Sequence, residues 1–342
     1  MTNVYTSPIP LPEPPLRRRR VGRIVGLSVF GLVAGILVIA VIAAGVGVWT
    51  IQRSFPQVSG TVALDGLGEQ VTVQRNGLGV PTITAGGTHD LFFSQGYVHA
   101  QDRFWEMDFR RHVTSGRLSE LFGASQLPTD RFLRTLGWRA VAEQEVEALD
   151  PTVRAYYDAY AEGVNAYLKG HDGAEVSLEY AVLGLQNPDY EIEPWTPADS
   201  VAWLKAMAWD LRGNIESETD RALMAPNFTS DQLAELYPGY PFDVNPVIVP
   251  TITTALPAGF DDGTDAAADA AASAAATAAI EWTEVDGVIE AVSALVGGVG
   301  EGVGSNSWVV SGSMTESGKP LLANDPHLSA SRQYESPSTF SR

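Results

Sequence analysis

The sequence contains no cysteine, so disulfides, thiolate catalysis and cysteine-ligated metal sites are all excluded. It holds only five histidines in 342 residues, and their spacing matches no metal-binding pattern. Basic residues are scarce beyond the N-terminus. After residue 50, 17 Lys and Arg stand against 40 Asp and Glu, which gives this part a net charge of −23. Because phosphate binding needs clustered Lys and Arg, we expect no nucleic-acid partner.

The first 50 residues contain a long uncharged apolar run. Residues 1–16 hold five prolines and predict a disordered tail, which four arginines follow. The run 24–49 exceeds both the roughly 20 residues needed to cross a bilayer and the roughly 7 to 15 of a signal-peptide core. Arginines on its N-terminal side place that end in the cytoplasm. We therefore expect a cytoplasmic tail at 1–23 and a single-pass signal anchor at 24–49, with the remainder outside the cell; a signal cleaved near Ala43-Ala44 is the alternative.

Residues 50–254 show mostly helical patterns after one early hairpin. Val71 to Arg75 and Val80 to Thr84 flank Asn-Gly-Leu-Gly, a sequence typical of a β-hairpin. A helix is predicted from near Thr88 to beyond Arg111. One of its faces is apolar, and acids alternate with bases on the other, where Asp108 and Arg111 are expected to form an exposed ion pair.

The same region contains two further predicted helix starts, and it contains His99, whose role needs an interpretation. Asp150 and Pro151 predict a cap and first position of a helix that ends near Gly170. Thr196-Pro197-Ala198-Asp199 predicts another helix start, with Thr as the cap and Asp facing the positive helix end. We interpret His99, on the preceding helix, as structural rather than catalytic.

Between residues 255 and 304 the composition changes abruptly to alanine, then to glycine and valine. Alanine favours helix, so a transient helix could form there. No core-facing apolar stripe is evident in this segment. The composition therefore predicts an exposed linker.

The stretch from Gly304 to Leu328 predicts a turn, a strand, a second turn and a second strand. If the Gly304–Ser305 bond were cut, Ser305 would become a chain N-terminus. Its α-amine, with a pKa of about 7.7 to 8, would be partly neutral near pH 7 and could act as base for the hydroxyl of the same residue. A surface hairpin without chemistry remains the alternative on spacing alone.

At these residues the sequence resembles the penicillin acylase family of N-terminal-nucleophile hydrolases. The matching elements near the C-terminus are Gly304-Ser305-Asn306, Trp308, Ser317-Gly318-Lys319-Pro320 and Asn324-Asp325-Pro326-His327-Leu328. Elements that look like the opening of the family's α subunit are Gly79-Val80-Pro81, Gly96 to Arg103, Gly116-Arg117-Leu118 and Trp195 to Asp199. Two separated blocks in the expected order are far more specific than a lone Gly-Ser pair.

The resemblance implies an α+β fold, namely the αββα sandwich of N-terminal-nucleophile hydrolases. It divides the chain after the anchor into a large helical α-subunit region at 50–254, an excised spacer peptide at 255–304 and the start of a β subunit at 305–342. Only the first β-subunit hairpin is expected in this chain. A mature member of full length would be an α/β heterodimer.

The same resemblance implies an amidohydrolase precursor that cleaves itself at Gly304–Ser305. It would hydrolyse a linear N-acyl amide, such as a β-lactam or an acyl-homoserine lactone, through an acyl-enzyme on Ser305. His327 matches a histidine beside the nucleophile in the cephalosporin and acyl-homoserine-lactone acylase branches and favours a long-chain or glutaryl-like acyl group. His327 could instead be a turn residue, and Asn324 either a strand-end cap or part of the site.

A metal is implied at one further position. Glu218, after a one-residue shift, falls near the glutamate that helps bind a structural calcium in the family; the alternative is a solvated helix end. Calcium takes about six to eight oxygens, so most of its ligands would come from elsewhere. We expect one structural calcium at most and no organic cofactor.

Only 38 residues run from Ser305 to Arg342, whereas the family's β subunit is far longer and supplies the asparagine that donates to the oxyanion. We therefore expect a chain that is truncated early in the β subunit and forms no competent site alone. One alternative is a serine amidase that uses Lys319 as its base. Another is an inactive membrane-anchored fragment or binding protein.

Overall fold

The computed structural model describes residues 18–211, 214–239, 241, 243–245, 280–296 and 304–327. The predicted proline-rich tail, the alanine-rich part of the spacer and the residues after 327 lie outside them. The helices are α1 Arg18–Arg53, α2 Thr88–Ser115, α3 Leu118–Phe122, α4 Leu127–Leu136, α5 Trp138–Ala148, α6 Pro151–Leu168, α7 Leu178–Gln186, α8 Pro197–Asp210, α9 Ile215–Met224, α10 Ser230–Leu236 and α11 Trp282–Val296. The strands are β1 Thr72–Arg75, β2 Pro81–Thr84, β3 Gly304–Val310 and β4 Leu321–His327.

Helix α1 carries the uncharged apolar run. Its segment Arg23–Arg53 is the one described helix that is long and apolar enough to cross a membrane, by length and composition alone. Its apolar side chains are exposed along the helix, in contrast to those of a core helix. This matches the geometry expected of the segment 24–49 and leaves the anchor a prediction.

The centre of the fold is the pair α2 and α6, which lie unusually close. A Cβ on Gly96 would stand 2.1 Å from the carbonyl oxygen of Tyr160, and a Cβ on Gly163 would stand 1.8 Å from that of Phe93. Glycine at these two positions therefore lets the helix backbones touch. Around this contact the side chains of α2, α6, α7 and the segment before α8 form the main core, whose fully buried members include Phe104 and Val164.

The locally encoded elements are confirmed. β1 and β2 pair as an antiparallel hairpin whose turn is fixed by Asn76 Oδ1, which accepts from the backbone N–H groups of Leu78 and Val80 at 2.9 and 3.0 Å. Asp150 caps α6 by accepting from the N–H of Thr152 at 2.8 Å. At the start of α8, Asp199 reaches back to accept from the N–H of Thr196 at 2.7 Å.

Helix α11 corrects one expectation about the spacer. The segment 282–296 is helical and contacts α4, α8 and α9, with Ile289 and Val292 almost completely buried. Val292 belongs to a cluster that includes Trp138 and Trp203, and Val288 and Leu295 pack against it. The expectation of an exposed linker without a core-facing stripe is therefore wrong for this part, because an apolar side chain recurs every three or four residues among the alanines and glycines.

The ion pairs predicted on α2 are also placed differently. Asp108 and Arg111 do pair, but both side chains are buried, at 0 and 2% exposure, rather than solvated. Asp102 pairs with Arg75 of β1 through two hydrogen bonds of 2.8 Å, and Arg103 pairs with Glu106. Asp102 thus links α2 to β1, and the Asp108–Arg111 pair is buried instead of lying on the helix surface.

The described residues contain two separate two-stranded antiparallel sheets, β1–β2 and β3–β4. The other regular elements of the described residues are helices. The α+β class and its large helical region agree with this architecture. The layered αββα sandwich needs more strands than these and stays a prediction.

Candidate active site

The β3–β4 hairpin places the predicted reactive residues at one end of a ladder. Its register sets Gly304 opposite His327 and Ser305 opposite Pro326, followed by Asn306 opposite Asp325. The Gly304–Ser305 bond and the backbone of His327 therefore belong to neighbouring rungs. Directly opposed Cα atoms in such a ladder lie about 4.5 to 5.5 Å apart, so 22 residues of sequence separation become a local contact of the backbone.

The turn between the strands fixes this register. Thr315 Oγ1 donates its one hydrogen to the carbonyl oxygen of Lys319 at 2.7 Å and lies 3.1 Å from that of Gly312. Gly318 adopts a φ of +67°, and a Cβ on Gly312 would stand 2.4 Å from the Gly318 carbonyl oxygen. Because a one-residue slip would move His327 away from Gly304, these two glycines and Thr315 indirectly position the reactive end.

The apolar side chains of this hairpin are exposed. Trp308 is 51% exposed, Val309 68% and Leu322 73%. Val309 faces Leu322 in the ladder and Trp308 faces Ala323, so neighbouring rungs present apolar groups to opposite sides. A two-stranded ribbon is at best marginally stable alone, and apolar groups on both faces are typical of strands covered on both sides.

Other predicted site residues lie around or apart from this end. Asn324 is opposite Ser307 in β4 and exposed. Lys319 lies in the turn at the far end of the hairpin, with its backbone N–H donating to Ser317 Oγ at 3.3 Å. The ladder therefore brings Ser305 and His327 to one end and leaves Lys319 at the other, which disfavours Lys319 as the base for Ser305.

Glu218 lies in the first turn of α9, exposed, and accepts a hydrogen bond from the side chain of Asn214. Among the described residues, no group of three or more His, Asp or Glu comes close enough together to hold a metal ion. Since calcium needs about six to eight oxygens, these residues do not fit a calcium ion by themselves. A calcium at Glu218 stays a prediction.

A cavity of about 620 Å³ lies in the helical body, bordered by the β1–β2 hairpin, α2, α6 and α8. Its lining includes three tyrosines of α6 together with Trp195 and Trp203. His99 borders the cavity and its Nδ1 lies 3.0 Å from the hydroxyl of Tyr160. Burial lowers the pKa of His99, although the nearby charge of Asp102 acts in the opposite direction. These contacts favour the structural interpretation of His99.

Sequence reasoning missed a buried polar cluster around Asp108. Its carboxylate accepts from Arg111 Nε at 3.0 Å and from the hydroxyls of Tyr180 and Tyr190 at 2.6 Å each. Burial alone would raise the pKa of Asp108, but hydrogen bonding by His112 and the charge of Arg111 outweigh it and hold that pKa well below its usual range.

The same cluster reaches the segment that enters α8. Arg111 donates to the carbonyl oxygens of Glu193 and Pro194, at 3.1 and 3.0 Å, and its guanidinium lies 5.6 Å from the centre of the Trp195 ring. The cluster is thus a structural joint between α2, α7 and this segment. An Asp three residues before an Arg on a helix gives no sign of whether the pair is exposed or buried, so sequence alone could not have found the joint.

Known proteins are similar to this chain over most of its length. Residues 70–339 match the family profile described as Penicillin amidase. The chain is 32% identical over 296 residues to the acyl-homoserine lactone acylase QuiP of Pseudomonas aeruginosa, covering 83% of this chain and 31% of that protein. It is likewise 32% identical over 301 residues to the penicillin acylase 2 proenzyme of Pseudomonas sp. strain SE83, covering 85% and 34%.

Among solved structures, a thermostable penicillin G acylase from Alcaligenes faecalis aligns with a TM-score of 0.41 and 25% identity, covering 55% of this chain and 98% of that chain. The chain spans about a third of the length of the two relatives it matches by sequence.

Proposed function

Because the chain belongs to the penicillin amidase family, we propose that it is an acylase precursor that is cut at Gly304–Ser305 and hydrolyses linear N-acyl amides through Ser305. The observation that carries this proposal is the register of the β3–β4 hairpin, which sets Gly304 directly opposite His327 at the end of a ladder. Family membership gives the reaction class, and the register supports the choice of residues.

The processing step would be an acyl shift followed by hydrolysis. The hydroxyl oxygen of Ser305 attacks the carbonyl carbon of Gly304, and the proton passes to the departing nitrogen of Ser305. The peptide bond becomes an ester, which water cleaves to a Gly304 carboxylate, the restored Ser305 hydroxyl and a free α-amine. Glycine before the serine suits this step, because the shift needs backbone geometries that a Cβ hinders.

In turnover the neutral α-amine of Ser305 would accept the hydroxyl proton while the oxygen attacks the amide carbonyl of the substrate. The amine product leaves with a proton, and the acyl group stays on Ser305 as an ester. Water then hydrolyses the ester and releases the carboxylic acid. We assign His327 a supporting role beside the nucleophile, since its backbone occupies the rung next to Ser305.

The substrate class follows from the relatives. One is named an acyl-homoserine lactone acylase and another a penicillin acylase, and both names describe cleavage of an N-acyl amide. We propose that class for this chain, within a mature α/β heterodimer. α1 would anchor the precursor in the cell membrane, with the N-terminus in the cytoplasm and residues after 53 outside, since it is the described helix that fits a bilayer.

Intact mass and N-terminal sequencing of protein recovered from its own cells test the processing step. We expect a fragment that begins Ser-Asn-Ser-Trp. Ser305→Ala should leave the chain uncut, whereas the matched control Ser307→Ala, two residues along the same strand, should be cut normally. A single uncut wild-type chain would remove the basis of the proposed function.

The second candidate is a binding protein that keeps the acylase-like shape without its chemistry. The exposed apolar rungs of the hairpin favour it, because such a surface suits a protein partner as well as further strands of a sheet. Under this alternative, Ser305→Ala and Ser307→Ala would behave alike. The same experiment therefore separates the two candidates.

A further inference from the structure

Helix α7 presents its apolar residues to solvent on one side. Leu178, Val182 and Leu185 recur at helical spacing and form one stripe, which we call the α7 stripe. Val182 is 57% exposed and Leu185 86%, while Tyr180 and Leu183 on the other side of the helix are buried in the main core. α7 thus packs on the main core through Tyr180 and Leu183, and the α7 stripe is a second, exposed apolar face.

The α7 stripe lies beside the end of α1. Arg53, the last residue of α1, donates from Nε to Glu175 Oε1 at 3.0 Å, and Glu175 ends the 3-10 turn Gly173–Glu175 shortly before α7. The guanidinium of Arg53 also lies 4.3 Å from the centre of the Trp49 ring. α1 contacts both the 3-10 turn and α7. The apolar helix and the α7 stripe therefore share one part of the molecule.

The sequence of α1 indicates where the contact between Arg53 and Glu175 would lie relative to a bilayer. The apolar run 24–49 ends at Trp49, and tryptophan is typical of the boundary between the acyl chains and the headgroups. Arg53 follows one helical turn later, about 6 Å further along the axis. Its partner Glu175 would then lie among the headgroups, and α7 begins three residues after Glu175.

We propose that α7 rests on the outer surface of the membrane that α1 crosses, with the α7 stripe inserted between lipid headgroups. This inference rests on the proposed anchor and is independent of the acylase chemistry. A helix that lies in the interface in this way buries its apolar side by about 5 to 10 Å. Two attachments, one spanning and one lying flat, would fix the orientation of the helical body above the membrane.

Lipid suits the α7 stripe better than a protein partner does. Three side chains on a nine-residue helix fall short of the roughly 800 Å² that each partner buries in a stable interface. Electrostatic attraction to anionic lipid is not the cause, since Glu179 is exposed on the same helix and the chain beyond residue 50 has a net charge of −23. The contact must be apolar, and we expect it in neutral phosphatidylcholine and at high salt.

Because the chain has no cysteine, single cysteines can be introduced and spin-labelled without background. The full chain is placed in phosphatidylcholine nanodiscs, and the label is tested for collision with oxygen, which enters lipid, and with a water-soluble nickel chelate. Val182→Cys reports the α7 stripe. Val141→Cys is the matched control, since Val141 is also an exposed helical valine, at 42%, on α5. Val38→Cys reports the middle of α1.

We expect the oxygen-to-nickel ratio at Val182→Cys to be several-fold higher than at Val141→Cys, and highest at Val38→Cys. Adding Leu178→Gln and Leu185→Gln should return the Val182→Cys ratio to the control value without altering the circular dichroism of the chain. A Val182→Cys ratio equal to the control, with Val38→Cys in lipid, overturns the proposal and keeps the anchor. Val38→Cys in water overturns both.

The alternative to lipid as the cover of the α7 stripe is a second copy of the chain. If the label at Val182→Cys is protected only when two chains share a disc, and becomes nickel-accessible when excess empty discs separate them, the stripe binds protein and the proposal is wrong. Cleavage at Gly304–Ser305 is followed in the same samples. It does not depend on the α7 stripe, so failure of this proposal and failure of the proposed function are distinguishable.

Discussion

The helical body and the β3–β4 hairpin differ in which kinds of side chain they bury. In the body, even charged groups are enclosed, and Asp108 is completely buried among an arginine and two tyrosines. In the hairpin, the large apolar groups Trp308 and Leu322 stay exposed although the two strands pair along their whole length. The helical body therefore buries its side chains within the described residues, whereas the hairpin has a defined register and exposed apolar faces.

The largest effect should come from the buried carboxylate. Asp108→Asn keeps the shape but leaves the buried charge of Arg111 without its carboxylate partner, so we expect a loss of about 3 kcal/mol or more in the free energy of unfolding near neutral pH. Urea unfolding of the full chain, followed by tryptophan fluorescence, measures it. The matched control is Asp158→Asn in the exposed pair with Arg154, which should change stability by less than about 1 kcal/mol.

The pH dependence of that loss has a definite sign. The pKa of Asp108 is lower in the folded chain than the value of about 3.9 expected when unfolded. Its ionised form therefore stabilises the fold above about pH 4, and this contribution is lost as the pH falls through and below that value. The difference between wild type and Asp108→Asn should shrink in acid. A constant difference from pH 7 to pH 3 would contradict the assigned ion pair.

The second effect concerns the contact of α2 with α6. In Gly163→Ala the new methyl group would meet the carbonyl oxygen of Phe93, and backbone cannot move aside as a flexible side chain can. We expect a loss of about 1 to 3 kcal/mol in the free energy of unfolding. Gly184→Ala on α7, where no other atom lies within 4 Å of the new methyl group, should instead be neutral or stabilise by up to about 1 kcal/mol. Equal effects at both positions would mean that the two helices are not in backbone contact.

The contrast between body and hairpin also shows what the sequence could predict. Caps at Asp150 and Thr196 and the turn at Asn76 were found because their signals lie within a few residues of the atoms they bind. Helix α11 was missed because alanine and glycine dominate its surroundings, although the spacing of Val285, Ile289 and Val292 was readable.

For the candidate site, the motif predicted the hairpin and its strands, and the structure added the rung that joins Gly304 to His327. A calcium at Glu218 stays a prediction, because a calcium shell draws its oxygen ligands from several segments and no local pattern around Glu218 specifies them. The burial of Asp108 was hidden for a similar reason. Its partners Tyr180 and Tyr190 lie more than 70 residues away, and no local spacing links them to α2.

The smallest effect on the free energy of unfolding is expected at Val309 of β3. Because this side chain is 68% exposed, Val309→Thr should change the free energy of unfolding of the chain by less than about 0.5 kcal/mol. The same substitution at Val113, which is 1% exposed in the body, replaces a buried methyl group by a hydroxyl and should cost about 1 to 3 kcal/mol. A large loss at Val309 would mean that the hairpin is already covered within this chain. A negligible loss would show that the apolar rungs of the hairpin are free to contact further strands or a partner.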